Sequence, residues 1–263
     1  MMIPKLNRFI RQGNITFSRS FLETVRSHGF RSTRRNHFIG SSLVINHGNH
    51  NPMTINDRAL RFYVLNNPNY IHTCSNKLSN YRILSKYYPK TYNKGEKINF
   101  PVILKPVNGH HGYGIKYSEY NRDLNRILRG NDNHYIIQDK IDIKYEYRFN
   151  VLDKHIYQVS RKERLPSRTS GGGYEFAWNS LGNNAGISDK FWNFVYNIIE
   201  DYHKEVGNNM AHYCIDVIKG MDNNYYLTEM NSACGLGDYT MDKLVECLDR
   251  KLDSGELEKY RVR

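Results

Sequence analysis

The chain has 263 residues, of which 39% are hydrophobic and 13% aromatic, a composition typical of a folded protein that excludes a disordered one. No apolar run approaches the roughly 18 residues of a membrane-spanning helix, so no membrane is expected among its partners. A formal net charge of +12 favours either nucleic acid or an anionic small molecule as a partner.

Nucleic acid is the less supported of these two partners. The sequence contains no zinc finger, no ribonucleoprotein aromatic signature and no basic region that leads into heptads. Nucleic acid therefore stays an alternative without a motif behind it.

Cysteine usage indicates the compartment. The four cysteines form no C-x-x-C pair, which disfavours a zinc site and fits reduced thiols in the cytoplasm: Cys74, Cys214, Cys234 and Cys247. Residues 1–21 are basic and poor in acids, as in a transit peptide. Because residues 14–30 already read as folded structure, import into an organelle is the less favoured alternative.

The first 70 residues alternate between strand and helix patterns. Strands are predicted at 15–17 and 42–46, and helices at 20–28 and 56–65. A β-α-β-α order predicts a small parallel sheet. Since no G-x-G-x-x-G turn is present, a dinucleotide site is not expected there.

The middle of the chain mixes helices with short strands. Pro89 ends a predicted helix, and glycines follow the strongest strand of this part of the chain. The predicted elements are a helix at 77–88, a strand at 100–107, a glycine-rich turn at 108–114, a helix at 119–128 and a strand at 134–138.

The last part of the chain begins with a predicted hairpin, 145–152 and 155–161, around Asp153 and Lys154. A flexible loop is predicted at 166–173. The apolar i, i+3, i+4, i+7 stripe predicts a core helix at 188–206, ended by Gly207. A surface helix is predicted at 241–252.

Oxygen donors cluster between residues 214 and 236. Asp216 lies on an apolar strand, and Glu229 and Asn231 share one face of the next strand because strand side chains alternate. If the two strands pair through the turn at 220–224, two carboxylates and one amide oxygen converge. Such a set suits Mg²⁺, which completes its shell with water and phosphate oxygens. The alternative is a polar hairpin with solvated acids.

A glycine-rich loop follows the strand that carries Lys105. Gly109, Gly112 and Gly114 allow the backbone to approach a phosphate closely, and Lys105 adds a point charge for the same anion. No G-K-[ST] follows, so this is not a Walker A loop. An ordinary glycine-rich hairpin is the alternative interpretation.

Residues 135–149 read as an apolar strand, a connector and a second strand. The connector leaves backbone N–H and C=O groups free to pair with the edge of an adenine base. Glu146 and Arg148 are two residues apart, so they lie on one strand face, where an acid suits ribose hydroxyls and a guanidinium suits a phosphate or acyl oxygen. A surface ion pair is the alternative.

The order of these segments resembles the ATP-grasp superfamily of ATP-dependent carboxylate–amine ligases. The D…E-x-N arrangement followed by S-x-x-G-L is the most specific part of the resemblance, and the strand–lysine–proline–glycine loop is next. The matching segments are NKLSNYRIL (76–84), FPVILKPVNGHHGYGI (100–115), IIQDKI (136–141), EYRF (146–149), CIDVI (214–218) and YLTEMNSACGL (226–236).

The resemblance implies an α+β, α/β architecture, the ATP-grasp fold, in which two α+β lobes grip ATP after a small Rossmann-like N-terminal domain. We expect this N-terminal domain at 1–75, the central lobe at 76–140, and the C-terminal lobe with the metal site at 141–263. A monomer or a homodimer in the cytoplasm, or in the host cytoplasm for a viral member, is expected.

The resemblance also implies roles for residues. ATP contacts are expected from Lys77, Lys105, Gly112, Gly114, Gln138, Asp139, Lys140, Ile141 and Glu146. Mg²⁺, with Mn²⁺ as an alternative, is expected at Asp216, Glu229 and Asn231. The pattern is closest to the branch of ribosomal-protein glutamate ligases, glutathione synthetases and D-Ala–D-Ala ligase-like enzymes, which implies catalytic roles for Arg148, Arg161 and Arg168.

The implied reaction joins a small carboxylate to an amine through an acylphosphate, with release of ADP and phosphate. An ATP-grasp kinase acting on a hydroxyl, and a degenerate nucleic-acid-binding or scaffold protein, are the alternatives. Two departures stand out: Cys214 replaces an arginine found in D-Ala–D-Ala ligase-like members, and the connector reads Asp139-Lys140 where an acid and an apolar residue are usual. The segment 161–168 is basic, which predicts an anionic substrate or a peptide terminus.

Overall fold

The computed structural model describes residues 63–93, 95–108, 114–129, 134–168, 174–181 and 186–261, and five short strands that precede them. Of residues 164–168 and 174–176, and of the short strands other than Leu43–Asn46, the backbone alone is described. In this part of the chain, helices pack on a four-stranded parallel sheet and on two antiparallel sheets, and two further strands pair in parallel, so the predicted α+β, α/β class is confirmed. The division into three domains stays a prediction.

A four-stranded parallel sheet forms near the N-terminus, with the order β2-β1-β4-β6. Its strands are β1 (Ile15–Ser18), β2 (Arg31–Thr33), β4 (Leu43–Asn46) and β6 (Tyr63–Leu65), while β3 (His37–Phe38) and β5 (Thr54–Ile55) pair separately. The helix predicted at 20–28 lies outside the described residues, and so does a Rossmann-like arrangement of helices around this sheet. The helix predicted at 56–65 is wrong over its last three residues, which form β6.

The prediction failed there because a helix begins at Pro68, directly after this segment, and does not end before it. The side chain of Asn67 accepts a hydrogen bond from the Asn69 amide at 3.0 Å and caps α1 (Pro68–Ser75). Proline is well suited to the first helical position because the amide that it lacks has no partner inside the helix.

Asn66 joins the parallel sheet to the rest of the molecule. It is buried and has a φ of +74°, a left-handed conformation that asparagine tolerates. Its side-chain amide donates to the Asn46 carbonyl at 3.0 Å, and its Oδ1 accepts from the amides of Ala211 and His212 at 2.8 and 2.7 Å. These bonds satisfy the buried polar backbone where two sheets meet.

A small antiparallel sheet follows, with the order β7-β10-β8-β9. Its core is formed by Tyr92, Val102, Leu104 and Leu124. The elements are α2 (Lys77–Leu84) with a 3₁₀ turn at Ser85–Tyr87, β7 (Thr91–Tyr92), β8 (Val102–Pro106), β9 (Lys116–Ser118), α3 (Asn121–Leu128) and β10 (Tyr135–Asp139).

A five-stranded antiparallel sheet dominates the C-terminal part, with the order β13-β12-β11-β14-β15. Its strands are β11 (Ile143–Leu152), β12 (His155–Arg168), β13 (Tyr174–Ser180), β14 (His212–Gly220) and β15 (Tyr225–Asn231). Both predicted hairpins, around Asp153-Lys154 and at 220–224, are confirmed. The predicted loop at 166–173 is wrong at 166–168, where β12 continues, and β13 was not predicted.

One face of this large sheet is covered by α4 (Asp189–Val206), as its apolar stripe predicted. Ser188 caps the helix at its N-terminus, and Gly207, with a φ of +58°, follows its last turn. Phe191 packs edge-on against Phe149 at 5.3 Å between ring centroids, with Val217 in the same core. Each fully buried side chain of this size contributes about 1.5–3 kcal/mol, so the stripe anchors the helix.

Among the described residues, helices cover the opposite face of the large sheet at one end only. There α5 (Asp238–Asp253), followed by a 3₁₀ turn at Glu256–Tyr260, packs buried Met241 and Leu244 against Leu152 and Cys214. The helix predicted at 241–252 is confirmed and begins three residues earlier. Within the described residues, no helix combines the length and the apolarity that crossing a membrane requires. The uncovered end of this face is where the polar side chains gather.

Candidate functional site

A cleft of about 860 Å³ lies between the small and the large sheet. Side chains of both sheets and the first residue of α2 line it. Those that matter for its chemistry are Lys77, Ile103, Lys105, Ile115, Asp139, Lys140, Ile141, Glu146, Lys162, Asp216, Ile218 and Glu229. The cleft thus has an apolar part, formed by isoleucines, and a charged part.

Two of the predicted metal ligands lie directly opposite each other. Asp216 on β14 pairs with Glu229 on β15, and the ladder then shifts by one residue, so that Thr228 is left over as a bulge. The Thr228 hydroxyl donates to the Asp216 carbonyl at 2.9 Å. Like charges in opposite positions destabilise a sheet unless a cation neutralises them. The pair is therefore built to receive positive charge.

Side-chain cations bind both carboxylates. Arg148, opposite Asp216 on β11, donates from Nε and Nη2 to the two Asp216 carboxylate oxygens at 2.7 Å each. The Lys77 ammonium contacts Glu229 Oε1 at 3.1 Å from the other side of the cleft. A carboxylate offers about four lone-pair sites, so these contacts leave room for a further ligand on each acid.

Lys105 completes the charged part of the cleft. It is buried, and burial lowers its pKa to about 8, with Glu229 opposing this shift and Lys77 adding to it. A buried ammonium in a cleft is costly unless an anion arrives to pair with it. This arrangement favours a polyanionic ligand such as a triphosphate.

The predicted glycine loop lies mostly outside the described residues, and Gly112 with it. Gly114 is described and has a φ of +76°. A Cβ at this position would lie 2.9 Å from Cγ of Pro106, which is closer than real contacts allow. Glycine is therefore required where the loop returns over the strand that carries Lys105.

The predicted adenine-binding connector, 138–141, divides into two parts. Gln138 is fully buried and donates to the Thr91 hydroxyl at 2.9 Å, and it does not line the cleft. Asp139, Lys140 and Ile141 do line the cleft. Among the described residues, the Ile141 amide has no backbone hydrogen bond, while the Lys140 amide donates to the Pro101 carbonyl at 3.1 Å. Ile141 thus offers a free donor beside the apolar part of the cleft.

Glu146, the predicted ribose ligand, lines the cleft and forms an ion pair with Lys162 at 2.8 Å. Lys162 had no predicted role of its own beyond its place in the basic segment 161–168. On β12 it shares the sheet face of Glu146, Arg148 and Asp216, because the register places Ser160 opposite Arg148.

Of the other two predicted arginines, the side chain of Arg161 is described and is not brought to Asp216. Arg161 lies opposite Tyr147, on the other sheet face, and pairs with Glu163 at 2.6 Å. Of Arg168 only the backbone is described, opposite Tyr174. The two described cations of the basic segment, Arg161 and Lys162, both pair with acids, so their charges are compensated.

Asn231, the third predicted metal ligand, lies two residues along β15 from Glu229, opposite Cys214, and does not line the cleft. Within the described ranges, no three His, Cys, Asp or Glu side chains come close enough to hold a metal ion. The donor set still suits Mg²⁺, because hard oxygen ligands from two carboxylates are commonly completed by water and phosphate oxygens.

Sequence reasoning missed Trp178. Its ring covers the Arg148 guanidinium, with Cζ 4.4 Å from the ring centroid. The signal that could have found it is the alternation in YEFAWNS, which is typical of a strand at 174–180. The glycines at 171–173 favoured a loop instead.

One part of the chain matches a family model. Residues 71–161, which are 91 of the 263, match the family model described as the RimK-like ATP-grasp domain. This stretch contains Lys77, Lys105, Glu146 and Arg148. No curated protein matches the chain in sequence.

Several solved structures share the fold at low sequence identity. N5-carboxyaminoimidazole synthetase from Staphylococcus aureus complexed with ADP matches with a TM-score of 0.58 at 11% identity, over 90% of this chain and 70% of that one. The ATP-grasp ligase PsnB, complexed with a phosphomimetic variant of its minimal precursor, Mg and ADP, gives 0.57 at 14%, over 92% and 98%. D-alanine–D-alanine ligase from Bacillus anthracis complexed with ATP gives 0.55 at 13%, over 92% and 98%.

Coverage varies among these matches. In a second PsnB structure, with the minimal precursor, the match covers 66% of this chain and 57% of that chain. At identities of 11–14%, the likeness to the three structures shows a shared fold and no more.

Proposed function

We propose that this chain, which has the ATP-grasp fold and matches the RimK-like ATP-grasp domain over residues 71–161, is an ATP-dependent ligase. It would join a carboxylate to an amine and release ADP and phosphate. The observation that carries the proposal is the Asp216–Glu229 pair, which faces Lys105 and Lys77 across one cleft.

Nucleotide binding follows from the two parts of the cleft. The purine suits the apolar part, between Ile103 and Ile218, where the free Ile141 amide can donate to a ring nitrogen. Glu146 can accept from ribose hydroxyls, and it would exchange or share its contact with Lys162. The triphosphate then reaches Lys105 and Lys77, whose ammonium groups would pair with its oxygens.

The carboxylate pair is suited to Mg²⁺. When bound, the ion would neutralise phosphate charge and fix the geometry of the triphosphate. Asp216 and Glu229 would hold it, and Arg148 would keep the Asp216 carboxylate in one orientation through its two hydrogen bonds. Lys77 would move from Glu229 to the phosphates as its partner becomes occupied.

The reaction begins when the substrate carboxylate attacks the γ-phosphorus, so that an acylphosphate forms and ADP leaves. The amine then attacks the acyl carbon, phosphate leaves, and the amine gives up a proton to solvent. Fixed cations stabilise the charge that develops in both steps, with Lys105 and Lys77 as the buried ammonium groups of the cleft. No protein nucleophile is needed.

The identity of the acyl substrate is a further part of the proposal. A peptide carboxylate and a free amino acid both suit this cleft. An anionic substrate was predicted from the basic segment. In the described residues the support for it is small, because Arg161 and Lys162 already pair with Glu163 and Glu146.

The test is ADP release with Mg²⁺ and a panel of amino acids and peptides, with phosphate and amide product followed together. Glu229→Gln and Lys105→Ala should each lower turnover at least about 100-fold, the usual cost of removing a group that stabilises transition-state charge. Glu200→Gln and Lys154→Ala, an exposed ion pair far from the cleft, are matched controls and should keep full turnover.

The product distinguishes the alternatives. Free phosphate with an amide supports a ligase, and a phosphorylated acceptor without free phosphate would identify a kinase instead. Full turnover in both Glu229→Gln and Lys105→Ala would show that the site is assigned wrongly.

A further inference from the structure

Trp178 lies at the end of a row of charged side chains on the open face of the large sheet. On β13 it is opposite Lys162, and it reaches diagonally to Arg148 on β11. The Arg148 guanidinium lies 4.4 Å from the centroid of the indole ring, and the Lys162 ammonium lies 5.6 Å from it. One half-buried aromatic ring therefore contacts two cations, each bound to an acid of the cleft.

The contacts of Arg148 leave it little freedom. Two of its nitrogens, Nε and Nη2, bind Asp216, and one face of the guanidinium is covered by Trp178. The third nitrogen, Nη1, lies beside Gly235, where a Cβ would be 3.8 Å away. A planar cation gripped at one edge and one face has a single orientation, and the carboxylate bound to it shares that orientation.

We infer that Trp178 is a positioning residue for the proposed reaction: it fixes the Arg148 guanidinium and, through it, the Asp216 carboxylate. The inference rests on the proposed function. Trp178 is placed to act through Arg148, and it has no role in the chemistry itself. Lys162 is held less tightly by the same ring, since it lies 1.2 Å farther away than the guanidinium (5.6 against 4.4 Å).

Loss of the ring should affect turnover more than nucleotide binding. Without it, the guanidinium can swing while one bond to Asp216 persists, so the carboxylate samples several positions. Such misplacement of a charged group weakens the transition state more than the ground state, because only the transition state requires the full geometry. The KM for ATP depends mainly on Lys105, Lys77 and the apolar part of the cleft, which Trp178 does not touch in the described contacts.

The first experiment compares Trp178→Phe and Trp178→Leu, with Trp192→Phe as the matched control. Trp192 packs against Phe149 on the opposite face of the sheet, away from the cleft. Trp178→Leu should lower kcat about 10-fold, in keeping with the strength of a partly desolvated cation–π contact, and leave the KM for ATP within about twofold. Trp178→Phe should restore most of kcat, because it keeps an aromatic face.

A double mutant tests whether Trp178 acts through Arg148. In an Arg148→Lys background, Trp178→Leu should lower kcat by less than about twofold, since the planar group that it orients is gone. An undiminished 10-fold effect in that background would overturn the inference. So would a loss of kcat in Trp178→Phe as large as in Trp178→Leu.

Fluorescence gives a readout that does not depend on turnover. The chain contains two tryptophans, so Trp192→Phe leaves Trp178 as the only indole. ATP with Mg²⁺ should change its emission, and the titration should give the same Kd as calorimetry. A silent Trp178 in protein that binds nucleotide by calorimetry would contradict the inference. Absence of any binding by calorimetry would instead count against the proposed function, so the two failures are distinct.

Discussion

Asp153 and Asp216 are both buried carboxylates of the large sheet, and both are held by cations, but their surroundings differ. Asp153 lies in the turn between β11 and β12. It accepts from the Tyr260 hydroxyl at 2.7 Å and contacts the ammonium groups of Lys259 at 2.6 Å and Lys251 at 3.3 Å. Burial raises the pKa of Asp153, but these donors outweigh burial, and the pKa lies below its usual value.

Asp216 has no such closed set of donors. It faces a second carboxylate, Glu229, across the ladder, and the neighbouring cation, Lys105, has its pKa lowered to about 8 by burial. The residues around Asp153 (the closed cluster) therefore compensate one another's charges. The residues around Asp216 (the open cluster) carry charges whose burial the fold does not fully compensate. Buried charges that lack full compensation and line a cleft are typical of a binding site, and fully compensated ones of a structural site.

The largest effect is expected where the closed cluster is broken. Asp153→Ala should lower the free energy of unfolding by about 3–5 kcal/mol, because the buried Lys251 keeps only Glu256 as a partner and the Tyr260 hydroxyl loses its acceptor. Urea denaturation measures this change in the free energy of unfolding. The control is Glu200→Ala, which breaks an exposed pair and should change stability by less than about 1 kcal/mol. A similarly small loss in Asp153→Ala would remove the contrast between the clusters.

The open cluster should respond in activity rather than in stability. Asp216→Asn keeps the size of the side chain and removes one charge of the pair that faces the cleft. Turnover should fall about 100- to 1000-fold, while the free energy of unfolding changes by less than about 2 kcal/mol, because Arg148 keeps access to water. Unfolding as severe as that of Asp153→Ala, with normal turnover in the folded fraction, would make Asp216 a structural residue.

The lowered pKa of Lys105 predicts how nucleotide affinity depends on pH. Its pKa of about 8 in the folded protein means that its charge is present at pH 7 and is lost as pH rises through 8. The Kd for ATP with Mg²⁺ should increase about 10-fold between pH 7 and pH 9, measured by calorimetry. Lys105→Arg, which stays charged, should flatten the profile. An equal slope in Lys105→Arg would assign the titration to another group.

The same shift has a consequence for stability. In the unfolded chain a lysine titrates near pH 10.4, so between about pH 8 and 10.4 the unfolded state binds more protons than the folded state. The contribution of Lys105 to the free energy of unfolding therefore rises with pH in that window. Below pH 8 the full cost of burying its charge is present.

The smallest effect concerns the turn that carries Asp153. Lys154 follows it with a φ of +64°, a conformation that glycine adopts without strain. Lys154→Gly should raise the free energy of unfolding by about 0.5–1 kcal/mol, since the ion pair that it loses with Glu200 is exposed. Thermal unfolding measures the change, with Lys204→Gly, inside a helix, as a destabilising counterpart.

Much of the fold could be read from local patterns. Strand alternation and turn residues gave the hairpins around Asp153-Lys154 and 220–224, and the apolar stripe gave α4. The Asp216–Glu229 juxtaposition followed from the second hairpin, because alternation puts both side chains on one face. These features depend on interactions between residues close in sequence, so local patterns are sufficient to predict them.

Other features depend on register between distant strands. Arg161 and Lys162 are neighbours in a basic segment, and only the pairing of β12 with β11 decides that Lys162 faces Glu146 while Arg161 faces away. Trp178 lies on β13 and reaches Arg148 across β12. This strand was not predicted, because the adjacent glycines favoured a loop. In each case a one-residue change of register would exchange the two faces.

By itself, the sequence determined which residue types were available and which strand faces they share, since these follow from the two-residue period of a strand. The tertiary structure alone decided which face borders the cleft, that Lys77 and Lys105 approach Glu229 from the other side, and that Trp178 covers Arg148. Such contacts join segments up to about 150 residues apart, as between Lys77 and Glu229, and their geometry depends on how whole sheets pack, which no local pattern encodes.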